Sequence, residues 1–170
     1  MSESSTAESR SAKLKTSFQK LSLASHTLNT ASNVFGDAII TLDEAVNKLN
    51  PGVTAWVEVS SSSTSETGVP EYFVERLGYA KINGRWGLSL CTVKVLDLPD
   101  GGNEELLDSW LFNDAPRQLR LRAIKHVPDL IESLANEALH TATRVREEAE
   151  LAVEIAKSIS ASPEGKGVRR

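Results

Sequence analysis

Two apolar seven-residue repeats, one in each half of the chain, constrain the fold more than any other feature. The first repeat, with the alanines that follow its inner members by three residues, is Leu14, Leu21, Ala24, Leu28, Ala31, Phe35, Ala38, Leu42, Ala45 and Leu49. The second repeat is Ile124, Ile131, Ala138, Val145, Ala152 and Ile159. Apolar residues at this spacing form a stripe along one side of an α-helix. Each repeat therefore predicts a long helix.

Two repeats of equal length indicate that the two helices pair with each other. Alanine at every seventh position lets helix backbones approach closely. We therefore expect a long antiparallel helical hairpin, resembling a coiled coil, with a first helix over 14–50 and a second over 115–160 that kinks at Pro128. The alternative is that each is an ordinary amphipathic helix on a globular core. The residues of the first repeat and its alanines are candidates for a helix-packing and oligomer seam.

The middle of the chain changes to an alternating pattern, which predicts strands over 53–60, 72–82 and 85–96. Asn83-Gly84 suits a type I′ turn, because both residues tolerate positive φ angles. If these two form the loop of a hairpin, its cross-strand pairs are Tyr79–Leu88, Leu77–Leu90 and Lys81–Trp86. The Ser-rich segment 61–70 is expected to be an exposed loop.

After the strands, Asn103 can cap a short helix over 104–112 in which Leu106, Leu107, Trp110 and Leu111 share one face. The fold class is therefore α+β, with a three-stranded antiparallel sheet and a short helix between the two long helices. Residues 13–160 form a single domain. Residues 1–12 and 161–170 read as disordered tails, because they are polar and lack periodicity.

In outline, the order of helix, β hairpin and helix is similar to that of prefoldin subunits, which carry coiled-coil arms on a β assembly. This chain departs from prefoldin in the short helix after the sheet, in Pro128 and in its single obvious hairpin. Chaperone activity is therefore not implied.

The first long helix is poor in charge on its remaining faces, since Asp37 is the one formally charged residue between Leu21 and Leu42. Its Ser, Thr and Asn residues are mediocre helix formers in water, so we expect the helix to pack on more than one side. A second copy of the chain and the chain's own sheet are both candidates for the second partner.

The sequence contains no recognisable catalytic constellation. Glu137 and His140 have the spacing of a di-iron helix, but matching carboxylates are scarce on the first helix. Cys91 lies in an alternating strand without a nearby histidine, which is typical of a buried thiol. We therefore expect no enzyme activity, no metal site and no cofactor.

One basic cluster is a candidate for binding an anion or nucleic acid. It comprises Arg117, Arg120, Arg122 and Lys125, and the hairpin turn with Lys81, Arg85 and Trp86 is expected to extend it. The alternative is that these arginines pair with the acidic short helix and with Glu71 and Glu75. The net charge of −4 and the pI near 5.5 favour this alternative.

These patterns together predict a non-enzymatic assembly or adaptor protein. It self-associates through its Ala-rich helices and presents a β head to a protein partner; the alternative is a nucleic-acid-associated protein that uses the basic cluster. The chain has one cysteine, no apolar leader segment and no run approaching about 20 apolar residues, so we expect a cytoplasmic protein without membrane contact.

Overall fold

A computed structural model describes residues 3–64, 71–96 and 103–160, and it describes the side chains of 10–63, 71–96 and 103–160. The fold is α+β. Its elements are, in chain order, α1 (Glu3–Leu49), β1 (Ala55–Thr64), β2 (Glu71–Ile82), β3 (Arg85–Leu96), β4 (Asn103–Leu111), a 3-10 turn (Phe112–Asp114), α2 (Arg117–Ala123), a second 3-10 turn (Ile124–His126) and α3 (Val127–Ser160). The chain divides after Ala45 into two structural units.

The four strands form one antiparallel sheet in the order β1-β2-β3-β4. The predicted hairpin between β2 and β3 is confirmed, with Tyr79 opposite Leu88, Leu77 opposite Leu90 and Lys81 opposite Trp86. Asn83 and Gly84 have φ angles of 50° and 83°, as a type I′ turn requires. The local turn chemistry therefore defines the register of the two central strands.

The prediction of a three-stranded sheet followed by a short helix is wrong, because residues 103–111 form the fourth strand. Val93 lies opposite Leu106 and Thr92 lies opposite Asp108, so Leu107 is an extra residue in β4. Such a bulge shifts the alternation of side chains by one position. The apolar residues of this strand are therefore spaced as on one face of a helix: Leu106, Leu107, Trp110 and Leu111.

The predicted long helical hairpin is also wrong. Members of both apolar repeats are exposed in the described part of the chain, among them Leu21, Leu28, Val145 and Ile159. The beginning of α3 instead packs on β1 and β2, and there it buries Leu130 and Leu134. A seven-residue repeat identifies a helix face, but it does not identify what covers that face.

The core lies on the sheet face that carries Leu77, Tyr79, Leu88 and Leu90, all of them buried. We call this the helix face, because α2 and α3 pack on it. Four further side chains buried on α2 and α3 are Leu119, Ala123, Leu130 and Leu134. The opposite face carries small buried residues, among them Ser89 and Cys91. We call it the Cys91 face.

A 3-10 turn over Ile124–His126 separates α2 from α3, close to the position of the predicted kink. Pro128 has no N–H to give to the carbonyl of Ile124. That carbonyl accepts a hydrogen bond from the Val127 N–H instead. The tighter turn thus satisfies the group that the proline leaves without its usual donor.

Two predicted segments, the N-terminal tail and the Ser-rich loop, have different bounds in the structure. α1 begins at Glu3, within the segment assigned to an N-terminal tail, and Ser61–Thr64 belong to β1 instead of a loop. Residues 65–70, the other part of that loop, lie outside the described residues, as do the C-terminal segment 161–170 and residues 97–102.

Candidate interaction surfaces

The predicted seam of α1 is largely exposed. Leu14 is 71% exposed, Leu21 61%, Leu28 48% and Leu49 80%. Phe35 is half-buried, and the remaining members are exposed: Ala24, Ala31, Ala38, Leu42 and Ala45. The structure therefore shows an accessible apolar surface on this helix.

The buried residues of α1 follow a slightly different line from the seam. Ile39 and Val46 are 2% and 8% exposed, and Ser32 is half-buried. Intervals of about four or seven residues correspond to one or two helical turns of 3.6 residues, so residues at these intervals lie on one side of a helix. Such intervals separate residues 46, 39, 32, 28, 21 and 14. Leu14, Leu21 and Leu28 therefore continue the buried stripe toward the N-terminus.

A strict seven-residue repeat drifts by about 20° per repeat around a straight helix. Leu42 and Leu49 consequently rotate away from the stripe that contains Ile39 and Val46. All residues of α1 from Arg10 to Ala31 are exposed. We call this segment the α1 arm, and its apolar stripe comprises Leu14, Phe18, Leu21 and Leu28.

Helix α3 shows the same behaviour. Leu130 and Leu134 are buried, and Ala138 and Thr141, farther along the same side of the helix, are half-buried. The residues that continue this side toward the C-terminus are exposed. Every residue from Ala142 to Ser160 is exposed. We call this segment the α3 arm; its apolar stripe comprises Val145, Ala152, Ile155, Ala156 and Ile159. Val145 is 62% exposed and Ile159 is 71% exposed.

Arg122 belongs to the predicted basic cluster, but an acidic residue of the sheet engages its guanidinium. Its Nη2 donates to Oε1 of Glu75 at 2.6 Å, and its Nε donates to Oε2 at 3.1 Å. The Ser60 hydroxyl on β1 donates to the same Oε2 at 2.6 Å. Burial raises the pKa of Glu75, but the hydrogen bonds from Arg122 and Ser60 outweigh it, so the pKa lies below its ordinary value. This network connects α2 to β1 and β2.

The other cations of α2 and the turn after it lack such partners. Arg117 and Lys125 are exposed, and neither takes part in an ion pair among the described residues. The Nε atom of Arg120 is buried and has no hydrogen-bond partner in the described part of the chain. The cluster thus offers two accessible cations on this segment.

The hairpin turn contributes less to the predicted basic surface than expected. Lys81 and Arg85 are exposed beside the turn. The Trp86 ring stacks on Tyr79, with the ring centroids 5.4 Å apart and an angle of 20° between the planes. The Tyr79 hydroxyl in turn donates to Oδ1 of Asn47 at 2.6 Å. One face of the Trp86 ring is therefore already covered.

The Cys91 face holds a second ion pair, which the sequence did not predict. Arg76 on β2 reaches across β3 to Glu104 on β4, and its Nη1 and Nη2 donate at 2.9 and 2.6 Å. The hydrogen bond and charge of Arg76 lower the pKa of Glu104. This pair was not foreseen because Glu104 was assigned to a helix. The sequence contains one sign of this pair: Glu104 and Leu106 are two residues apart, so they lie on the same side if the segment is a strand.

A shallow cavity of about 280 Å³ lies beside this pair on the Cys91 face. It is lined by Trp56, Arg76, Cys91, Val93, Glu104 and Leu106. Burial raises the pKa of the Cys91 thiol, although the Arg76 cation acts in the opposite direction. A raised pKa lowers the fraction of the thiol that is deprotonated at neutral pH, and the thiolate is the nucleophilic form. The cavity offers an apolar depression with an ion pair at its edge.

Glu137 and His140 are both exposed on α3. Among the described residues, no three His, Cys, Asp or Glu side chains come together as a metal site would require. Within the same residues, no helix has both the length and the apolar character of a membrane span.

Comparison of the chain with protein-family models, with curated proteins and with solved structures finds no match. The outline similarity to prefoldin gains no support from these comparisons.

Proposed function

We propose that this chain is a non-enzymatic assembly protein that associates with copies of itself through its long helices and presents its four-stranded sheet to a protein partner. The observation that carries the proposal is the continuation of two buried stripes into exposed arms. In α1 the stripe passes from Ile39 to Leu21, and in α3 it passes from Leu134 to Val145.

The physical reason is the cost of leaving these side chains in water. Burial of apolar surface contributes roughly 25 cal/mol per Å², and contiguous exposed apolar surface typically marks an interaction site. The alanines of both arms reduce the distance at which another helix can pack. Arms of this composition suit association with other helices.

The partner surface in this proposal is the Cys91 face of the sheet. Leu106 is 61% exposed at the edge of the cavity, and Trp56 is half-buried beside it. An apolar side chain of a partner would fill the depression next to the Arg76–Glu104 pair. We include a cytoplasmic location in the proposal, since the chain has a single cysteine and Cys91 is a buried free thiol.

Self-association is tested by light scattering of the full chain at high micromolar concentration, with Leu21→Asp and Leu23→Asp as matched variants. Leu21 lies on the α1 stripe, whereas Leu23 lies on the other side of the helix and is equally accessible, at 69% against 61% exposed. We expect Leu21→Asp to give the monomer mass and Leu23→Asp to leave the oligomer intact. A wild-type chain that is monomeric throughout contradicts the proposal.

Presentation of the sheet is tested by capture of partners from the native host with wild type and with Leu106→Asp. We expect a defined protein to be captured by the wild type and lost with this variant, while Leu107→Asp, on the neighbouring residue of the bulge, retains it. Equal loss with both variants, or with neither, contradicts a role for the cavity.

The nucleic-acid alternative has weaker support. Arg122 binds Glu75 and Trp86 stacks on Tyr79, so two of the groups that it requires are engaged inside the protein. The overall charge of −4 also opposes binding to a polyanion. A fluorescence anisotropy titration at low salt tests it, and a shift that disappears in Arg117→Glu would favour it.

A further inference from the structure

We infer that the outer edge of β4 binds an extended segment of a partner protein, which adds to the sheet as a fifth strand and carries a basic residue next to an apolar one. The inference rests on the proposed presentation of the sheet to a protein partner. It names the part of the sheet that binds and the kind of segment that fits.

The outer edge of β4 is accessible. β4 is the last strand in the order β1-β2-β3-β4, and among the described residues no other strand pairs with its outer side. Residues 103–108 are all exposed. An outermost strand presents a row of backbone N–H and C=O groups that have no partner in the sheet, and the backbone of an extended peptide can satisfy them. The backbone of β4 therefore suits a strand as its occupant.

The side chains of β4 select the composition of that strand. On the Cys91 face, Leu106 is 61% exposed beside the cavity. On the helix face, Glu105 and Asp108 are exposed, and neither forms an ion pair in the described part of the chain. Lys94 lies opposite Glu105, but its ammonium group binds Glu71 at 3.0 Å. An added strand thus meets an apolar side chain on one face and two carboxylates on the other.

The spacing of these groups defines the segment more closely. Because neighbouring residues of a strand point to opposite faces, a segment that matches both faces has an apolar residue beside a lysine or arginine. The apolar side chain packs against Leu106 at the rim of the cavity, and the cation lies near Glu105. The bulge at Leu107 interrupts the regular edge, so the added segment is short and pairs with residues 103–106.

A second copy of β4 is a poorer occupant. In an antiparallel pair of β4 edges, the carboxylates of both copies would lie on the same face and repel each other. The other outer strand, β1, is a poorer binding edge, because its second half is the serine run of residues 60–63 and offers no apolar side chain. Both comparisons favour a basic segment of another protein at β4.

The probe is a ten-residue synthetic peptide of alternating valine and lysine, whose binding to the full chain is measured by fluorescence anisotropy. We expect the same peptide with N-methylated backbone amides to bind about tenfold more weakly or worse, because it cannot donate hydrogen bonds to β4. A peptide with glutamate in place of lysine should lose a similar factor, because its charge has the wrong sign. Bound peptide should slow hydrogen exchange of the amides of residues 103–106.

A matched pair of protein variants tests the charge contribution. One carries Glu105→Gln and Asp108→Asn, and the other carries Glu137→Gln and Glu148→Gln on α3, which removes the same charge from exposed positions outside the sheet. We expect the first variant to bind the lysine peptide several-fold more weakly and the second to bind it nearly as the wild type does. Urea denaturation verifies that both variants remain folded.

Four outcomes overturn the inference: no binding of the lysine peptide, equal binding of its N-methylated form, slowed exchange in β1 instead of residues 103–106, or equal weakening by the two variants. Each of them leaves the proposed function standing if the wild type captures a host protein that Leu106→Asp loses. By contrast, capture that Leu106→Asp does not change contradicts the proposed presentation of the sheet, whatever the peptides show.

Discussion

Arg122 on α2 binds the carboxylate of Glu75 on β2 through two hydrogen bonds, of 2.6 and 3.1 Å. The Ser60 hydroxyl on β1 donates a third hydrogen bond to the same carboxylate. Bidentate pairs of arginine and carboxylate are strong and directional among ion pairs. This one joins a helix of only seven residues to the sheet. Short helices are marginal in isolation, so α2 depends on such tertiary contacts.

Replacement of Arg122 by alanine is expected to lower the free energy of unfolding by about 1 kcal/mol, because the pair is partly exposed and solvent screens it. Urea denaturation measures the change. Arg117→Ala on the same helix is the matched control, since Arg117 forms no ion pair among the described residues, and it should be nearly neutral. Equal effects of the two substitutions would contradict a specific role for the pair.

The lowered pKa of Glu75 makes stability dependent on pH in a defined direction. Its ordinary value is 4.5, and in the folded protein it lies lower. The unfolded chain therefore binds a proton more readily, so the stabilisation is complete above the ordinary value and is lost as pH falls through the folded value. Glu104 acts in the same direction through its bond to Arg76.

We expect the wild type to lose stability between about pH 5 and pH 3, and we expect Glu75→Gln to lose less over that range while being less stable at pH 7. Chemical denaturation at a series of pH values checks both statements. Glu105→Gln is the control, because Glu105 is exposed and forms no ion pair in the described part of the chain. A parallel pH profile for Glu75→Gln and wild type would contradict the linkage.

The β2–β3 hairpin could be predicted in detail because its determinants are local. Asn83-Gly84 specifies the turn, and a two-residue turn fixes every cross-strand pair that follows. The fourth strand could not be predicted in the same way. Its bulge at Leu107 disturbs the alternation, and its pairing with β3 depends on residues distant in sequence.

For the long helices too, the sequence pattern predicted the secondary structure but not the packing. The repeats predicted that both segments are helical, which is correct over residues 14–49 and 127–160. They did not predict which residues are buried, because a helix turns every 3.6 residues and the repeat drifts away from the stripe that contains Ile39 and Val46. The two ion pairs were partly accessible from sequence: Glu75 was considered a partner for the arginines, whereas the Arg76–Glu104 pair required knowledge of β4.

The turn of the hairpin provides a sharp test of local strain. Gly84 has a φ angle of +83°, where a side chain is disfavoured. Gly84→Ala is expected to lower the free energy of unfolding by about 1 kcal/mol, whereas Asn83→Gly should change it little, because glycine accepts the φ of +50° at that position. Thermal or urea denaturation distinguishes the two. An Asn83→Gly variant as unstable as Gly84→Ala would indicate that the Asn83 side chain contributes contacts of its own.

On the Cys91 face, the indole ring of Trp56 lies directly over Gly78, which is its cross-strand partner. A Cβ added at Gly78 would overlap the ring, so the absence of a side chain there is what admits the indole. Gly78→Ala is expected to destabilise the protein by about 1–3 kcal/mol, a typical cost of overpacking, and to change the tryptophan emission spectrum. The overlap predicts that the cost depends on the ring. In a Trp56→Ala background, Gly78→Ala should therefore cost much less, and a double-mutant cycle measures the coupling. If Gly78→Ala is equally costly in both backgrounds, the requirement for glycine comes from the β2 backbone and not from the indole.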